Sequence, residues 1–158
     1  MKIVLSMIGK TDFPYLAEGM EIYLKRLSHY TKMEMLVLPD IKTSKKESIE
    51  VLKTKEGELI LSKLQDGDFL ILLDEQGKSY TSKAFAQWVE QWMVQSHKRV
   101  VFQIGGAYGF SKEVYTRANA MLSLSAMTFS HQMVRLIMLE QLYRAMTIIN
   151  REPYHHED

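Results

Sequence analysis

The residues with the most chemical potential sit in a turn. From Leu124 to Arg135 the chain reads LSAMTFSHQMVR, where a strand-like run passes into small and hydroxyl side chains and the apolar spacing becomes helical from His131. Backbone N–H and C=O groups in such a turn lack ladder partners, so a heterocyclic ligand can take them. An ordinary strand-to-helix loop with a Ser or Thr cap accounts for the same residues. Two further segments end apolar runs in the same way: Leu73-Asp74-Glu75-Gln76-Gly77-Lys78 and Ile104-Gly105-Gly106-Ala107-Tyr108-Gly109. Their glycines also fit plain turns, and the spacing departs from the dinucleotide fingerprint, which follows a first strand.

The ionisable candidates lie further on. Arg135 stands among Met138, Leu139, Leu142 and Met146, and a buried arginine needs a carboxylate, a carbonyl cluster or a substrate anion. On a wheel of about 100° per residue, Glu140, Arg144, Thr147 and Arg151 form a narrow polar stripe on an otherwise apolar helix. That helix carries more apolar surface than one sheet face needs, so a homodimer interface is the expected sink. Basic side chains cluster twice, at Lys42, Lys45, Lys46, Lys53 and Lys55 and at Arg144, Arg151, His155 and His156. A solvated helix face explains the lysines as well as phosphate contact does.

The elements that must position these residues follow from pattern and length. The 158 residues, net charge +1, suit one domain that buries about two thirds of its unfolded surface. So small a charge excess means that any RNA contact is local. With no cysteine, disulfides, thiol nucleophiles and thiolate zinc sites are excluded, and no metal-ligand spacing is present. No apolar run reaches membrane-span length, and the run from Ile3 to Ile8 is too short for a secretory signal, so a cytoplasmic location is expected.

Strand and helix patterns alternate. Strands are expected at Lys2–Ile8, Met33–Leu38, Phe69–Leu73, Val100–Ile104 and Met121–Leu124. Between them fall a helix capped by Asp12, one over about Ser48–Leu64, one capped by Ser82 that carries Trp88 and Trp92, and a short one from Ser111. The last helix runs from about His131 to Asn150. This order predicts an α/β fold with a mostly parallel sheet and helices on both faces, and ligands in such sheets sit at the carboxyl ends of the strands. A receiver domain would share the pattern, but Met7-Ile8-Gly9-Lys10 lacks the acidic pair that a receiver needs.

Taken together, LLDEQGK, FQIGGAYG, LSLSAMTFSHQMVR, LEQLYRA and the closing PYH resemble the RlmH family, small methyltransferases of the SPOUT superfamily that act on ribosomal RNA. The resemblance spans essentially the whole chain. It implies a C-terminal deep trefoil knot, a homodimer, and S-adenosylmethionine bound in the knot. The implied reaction is methylation of N3 of pseudouridine 1915 in 23S ribosomal RNA. By motif match the cofactor contacts are Leu73, Gly105, Leu124, Ser125, Ala126, Met127, Thr128 and Phe129. Ser130 stands where relatives usually carry proline, which leaves the turn less rigid.

Such a reaction places few covalent demands on the protein, because the methyl group arrives activated. Positioning must dominate, and the imide N3–H must lose a proton. His155 is the preferred titrating residue, with Tyr154 against the base and Arg144 or Arg135 on phosphate or the developing anion. A frayed terminus is the plain alternative for Tyr154, His155 and His156. A ribosome-binding factor of the same fold without catalysis is the alternative function.

Overall fold

The computed structural model describes residues 1–44 and 46–156. In chain order the elements are β1 (Lys2–Ile8), α1 (Pro14–Leu27), β2 (Lys32–Leu38), α2 (Ile49–Ser62), β3 (Phe69–Ser79), α3 (Ser82–Val94), β4 (Arg99–Ile104), α4 (Lys112–Arg117), β5 (Ala120–Ser123) and α5 (Met133–Ile149). The strands form one five-stranded sheet in the order β2-β1-β4-β3-β5, and each neighbouring pair is parallel. The predicted α/β class with helices on both faces is therefore observed.

The central strands read as unbroken apolar runs because both faces are covered. Ile3, Leu5, Met7, Ile71, Val100 and Phe102 face one core, packed with Met20, Phe85, Trp92, Met138, Leu139 and Leu142 from α1, α3 and α5. Val4, Leu70, Leu72 and Val101 face the other, with Ile60 of α2 and Val114 of α4. Trp92 is buried, and Trp88 stacks on Tyr80 with ring centroids 4.9 Å apart, so the tryptophan pair is structural.

Three boundaries differ from the sequence expectation. Asp12 does not cap α1; Phe13 holds the cap position and Pro14 opens the helix, where its missing N–H costs nothing. Thr81, one residue before Ser82, caps α3 by accepting from the Ala84 N–H at 3.1 Å. The third strand does not stop at Leu73. It makes a short excursion and returns to β5, so that Leu73 and Lys78 both face Leu122. Gly77 permits this return, because a Cβ there would sit 2.7 Å from the Leu122 backbone nitrogen.

The last helix also differs from the amphipathic picture. Both α1 and α3 pack along α5, so much of its apolar surface is buried within the chain. Thr147 is not part of an exposed stripe; it is fully buried and its hydroxyl donates to the Arg144 carbonyl at 2.7 Å. Arg151 lies beyond the helix in the left-handed region, at φ 57°. The Arg151 N–H reaches the Ile148 carbonyl (3.1 Å) and the Glu152 N–H reaches that of Thr147 (2.8 Å), a Schellman turn that sends the tail back along the helix.

Candidate functional site

The carboxyl ends of β3, β4 and β5 open onto a cavity of about 690 Å³. All three segments singled out in the sequence meet there, within the size range of small-molecule sites. Of the cofactor candidates, Leu73, Gly105, Leu124, Ser125, Met127, Thr128 and Phe129 line the cavity, and Ala126 does not. Leu73, Ile104, Phe110, Leu122 and Val134 give it apolar walls. Gly105 has a packing reason to be glycine: a Cβ there would come within 3.0 Å of the buried Phe110 ring.

Carboxylates stand at the mouth, and sequence reasoning assigned them no role. Asp74 accepts from the Tyr115 hydroxyl at 2.5 Å and from the Gln76 N–H at 2.9 Å. Burial, and then that hydrogen bond, push the Tyr115 phenol up to about 12, so it remains a donor at neutral pH. Glu75 accepts from the Thr128 hydroxyl at 2.8 Å, which ties the β3 excursion to the turn after β5. Behind Gly106, Glu56 of α2 is 7% exposed, and burial, then the nearby Asp40 charge, raise its carboxyl. The adjacent Asp74 and Glu75 that interrupt the apolar run of β3 were the available signal for this mouth.

The turn itself is held by its hydroxyls. Ser125 accepts from the Met127 N–H at 2.9 Å, and Ser130, where relatives are expected to use proline, accepts from the Met133 N–H at 3.1 Å and so holds the turn that leads into α5. Arg135 is 1% exposed and does not line this cavity. Its guanidinium donates to the carbonyls of Ile8 (2.9 Å), Gly9 (2.9 Å) and His131 (3.3 Å) and to the Thr11 hydroxyl (3.1 Å). Of the three partners expected for it, the carbonyl cluster is the one present. Gln132, missed in the sequence, assists by accepting from the Asp12 N–H (2.9 Å) and donating to the Lys10 carbonyl (3.2 Å).

The tail residues form a separate group on the flank of α5. The Tyr154 hydroxyl donates to Glu140 at 3.0 Å and lies 3.3 Å from the Tyr23 hydroxyl. Its ring packs edge-on to Tyr143 at 4.7 Å, and the Arg144 guanidinium lies 4.8 Å from the ring centre. Arg144 also bonds Glu140 at 2.6 Å and His155 Nδ1 at 3.0 Å. The tail is therefore docked and not the frayed terminus that sequence alone allowed. Arginine is always the donor, so Nδ1 of His155 is the acceptor in this bond. None of Arg144, Tyr154 and His155 lines the cavity of its own chain.

Lys55 pairs with Glu47 at 3.0 Å and Lys53 with Glu50 at 3.7 Å, Lys42 and Lys46 are exposed, and Lys45 lies outside the described residues. Among the described residues no three His, Asp or Glu side chains converge as metal ligands, and no helix is long and apolar enough to cross a membrane.

A parallel α/β sheet with a cavity built from its last three strand-end loops is the architecture of a nucleotide-type ligand site. Residues 1–155 match the family described as predicted SPOUT methyltransferase, and the chain belongs to that family. It is similar to Ribosomal RNA large subunit methyltransferase H of Parabacteroides distasonis, 57% identical over 157 residues, covering 99% of this chain and 100% of that protein. The protein of the same name from Christiangramia forsetii is 53% identical over 156 residues, with 99% of each chain covered. That from Cytophaga hutchinsonii is 54% identical over 156 residues, covering 99% and 100%.

Proposed function

We propose that this methyltransferase takes a methyl group from S-adenosylmethionine and places it on N3 of pseudouridine 1915 in 23S ribosomal RNA, working as a homodimer. One observation carries the reading: three strand-end loops of a SPOUT chain converge on one cavity with apolar walls and acidic side chains at its mouth. The relatives' shared name supports large-subunit ribosomal RNA as the substrate.

The residues present suit this cofactor. Leu73, Ile104, Phe110 and Leu122 can sandwich an adenine, turn backbone can meet its polar edge, and Asp74 and Glu75 complement a cation. When bound, S-adenosylmethionine supplies a methyl group already activated by its sulfonium. The protein's work is then to orient the target nitrogen, exclude water and handle one proton. When RNA phosphate draws Arg144 away, Nδ1 of His155 is free to accept the N3 proton, and the nitrogen lone pair left behind would take the methyl group, the sulfonium leaving as a neutral thioether.

The homodimer follows from position. Arg144 lies ten residues beyond Val134 of the cavity wall, or roughly 15 Å along α5 at about 1.5 Å per residue. The tail of one chain would therefore serve the cavity of a second. Phe13, Tyr15, Met127, Phe129 and Met133 remain between 36% and 76% exposed around the start of α5, an apolar surface that a second copy can cover.

The knot is proposed on the route of residues 124–132. From the sheet edge at β5 they run past the β3 excursion, touching it at Glu75, to meet residues 8–12 after β1. Ordinary connections do not thread loops, and a crystallographic trace that closes to an unknotted curve would remove this element.

The function is tested by incubating the protein with isotopically labelled S-adenosylmethionine and ribosomes lacking the modification, then digesting the RNA to nucleosides. N3-methylpseudouridine is the expected product. Absence of both label transfer and calorimetric cofactor binding would overturn the reading.

A further inference from the structure

A second cavity, of about 720 Å³, opens at the amino ends of the strands, remote from the first. Its polar lining includes Lys2, Thr31, Lys32, Ser96, His97 and Lys98. Register explains why the cations gather: Lys2 of β1 is the direct partner of Lys32 on β2, and the Lys2 N–H bonds the Lys98 carbonyl at 2.9 Å just before β4. Adjacent parallel strands lie about 4.8 Å apart, so like charges are brought together where the sheet alone gains nothing from them. Lys2 leans on Glu34 at 3.4 Å, and both side chains are well exposed. Lys32 and Lys98 pair with no carboxylate among the described residues.

The same edge carries the tail. Tyr30 lines this cavity and donates to Glu152 at 2.6 Å, two residues before Tyr154. At the end of α3, Ser96 adopts φ 59° in a second Schellman turn, which delivers His97 and Lys98 to the cavity rim. Cationic and hydroxyl groups around an open hollow are the chemistry of phosphate recognition.

The geometry points to this cavity as a binding site for the phosphodiester backbone of the substrate RNA, gripping a phosphate beside the tail that meets the target nucleotide. The inference rests on the proposed placement of Tyr154 and His155 against RNA and names a contact which that reading does not include. A strand of RNA lying over Lys2, Lys32 and Lys98 would continue directly onto the tail. Those lysines would position RNA without touching the reacting atoms.

The test uses the full-length protein carrying Lys32→Glu with Lys98→Glu, and a second version carrying Lys32→Gln with Lys98→Gln in case charge reversal disturbs the fold. Affinity for large ribosomal subunits is measured across salt concentrations. We expect the affinity to fall about tenfold or more at low salt and the salt slope to shrink by roughly 1.5, as for the loss of two phosphate contacts. Calorimetric affinity for S-adenosylmethionine and the sedimentation coefficient should stay unchanged. RNA affinity and salt slope equal to those of the unaltered protein in a folded variant would overturn the inference. Inorganic phosphate, titrated while the His97 ring protons are followed by NMR, should perturb them only at tens of millimolar. Saturation at micromolar phosphate would replace the RNA assignment with a small-anion site. Methyl transfer by the unaltered protein, scored by itself, judges the proposed function, whereas the binding ratio judges this site.

Discussion

Arg135 satisfies three backbone carbonyls and a hydroxyl drawn from residues 8–11 and from His131, so it fastens the start of α5 to the end of β1. Burial lowers its pKa, opposed by the charges of Asp12 and Asp40, yet the acceptor set keeps the cation worth burying. Arg135→Met should therefore destabilise by about 2–4 kcal/mol, because buried carbonyls lose their donors. Urea unfolding with an unchanged m value measures this; a loss below half a kilocalorie would contradict the clamp. Glu56 behaves in the opposite sense. Its folded pKa is raised, so the native state holds a proton that the unfolded chain has released, and stability drains away as pH rises from the ordinary value of 4.5 through the folded one. Glu56→Gln is expected to melt higher than the unaltered protein at pH 7, with the gain vanishing below about pH 4.5. Melting curves at both pH values decide it, and a variant that melts lower at pH 7 would refute it.

Element ends carry the site, and they were also what the sequence disclosed least evenly. The five strands and five helices were legible because buried parallel strands are continuous apolar runs and the helices keep helical spacing. That the three loops could converge was legible because each follows a buried strand, whereas the order that makes their strands neighbours was not. Less legible was anything set by a distant partner. The return of β3 past Gly77 depends on β5, and the capping of α1 by Phe13 and Pro14 displaced the expected Asp12. Much of the apolar excess of α5 is taken up by α1 and α3, which close on it within the chain. Arg135 could be read as buried, but its Ile8, Gly9 and Thr11 partners lie 124 to 127 residues before it, beyond local pattern. Two substitutions test the element ends. Gly77→Ala should cost about 1–3 kcal/mol and weaken cofactor binding, since the Cβ meets the Leu122 backbone and parts β3 from β5. Arg151→Gly should stabilise by about 0.5–1 kcal/mol, because glycine takes the left-handed turn position without a Cβ clash. Thermal melts check both signs.

On the scale of the whole molecule, the cavity lies at one edge of the sheet while the docked tail and the basic hollow lie toward the other. In the proposed dimer two chains combine these halves, cavity from one and Tyr154 with His155 from its partner. The deciding measurement mixes two inactive versions. Gly105→Val should lose the cofactor, because its side chain displaces the Phe110 ring from the cavity wall. Truncation after Pro153 should keep the cofactor but slow methyl transfer by about 10²-fold, the scale of losing an acid–base group. Refolded together in equal amounts, half of the dimers are mixed, and each contains one intact site built from the unaltered cavity and the unaltered tail. Transfer of methyl label to ribosomes should then recover to about a quarter of the normal rate. Activity no higher than that of the two versions measured apart, despite mixed dimers proven by mass, would contradict the shared site.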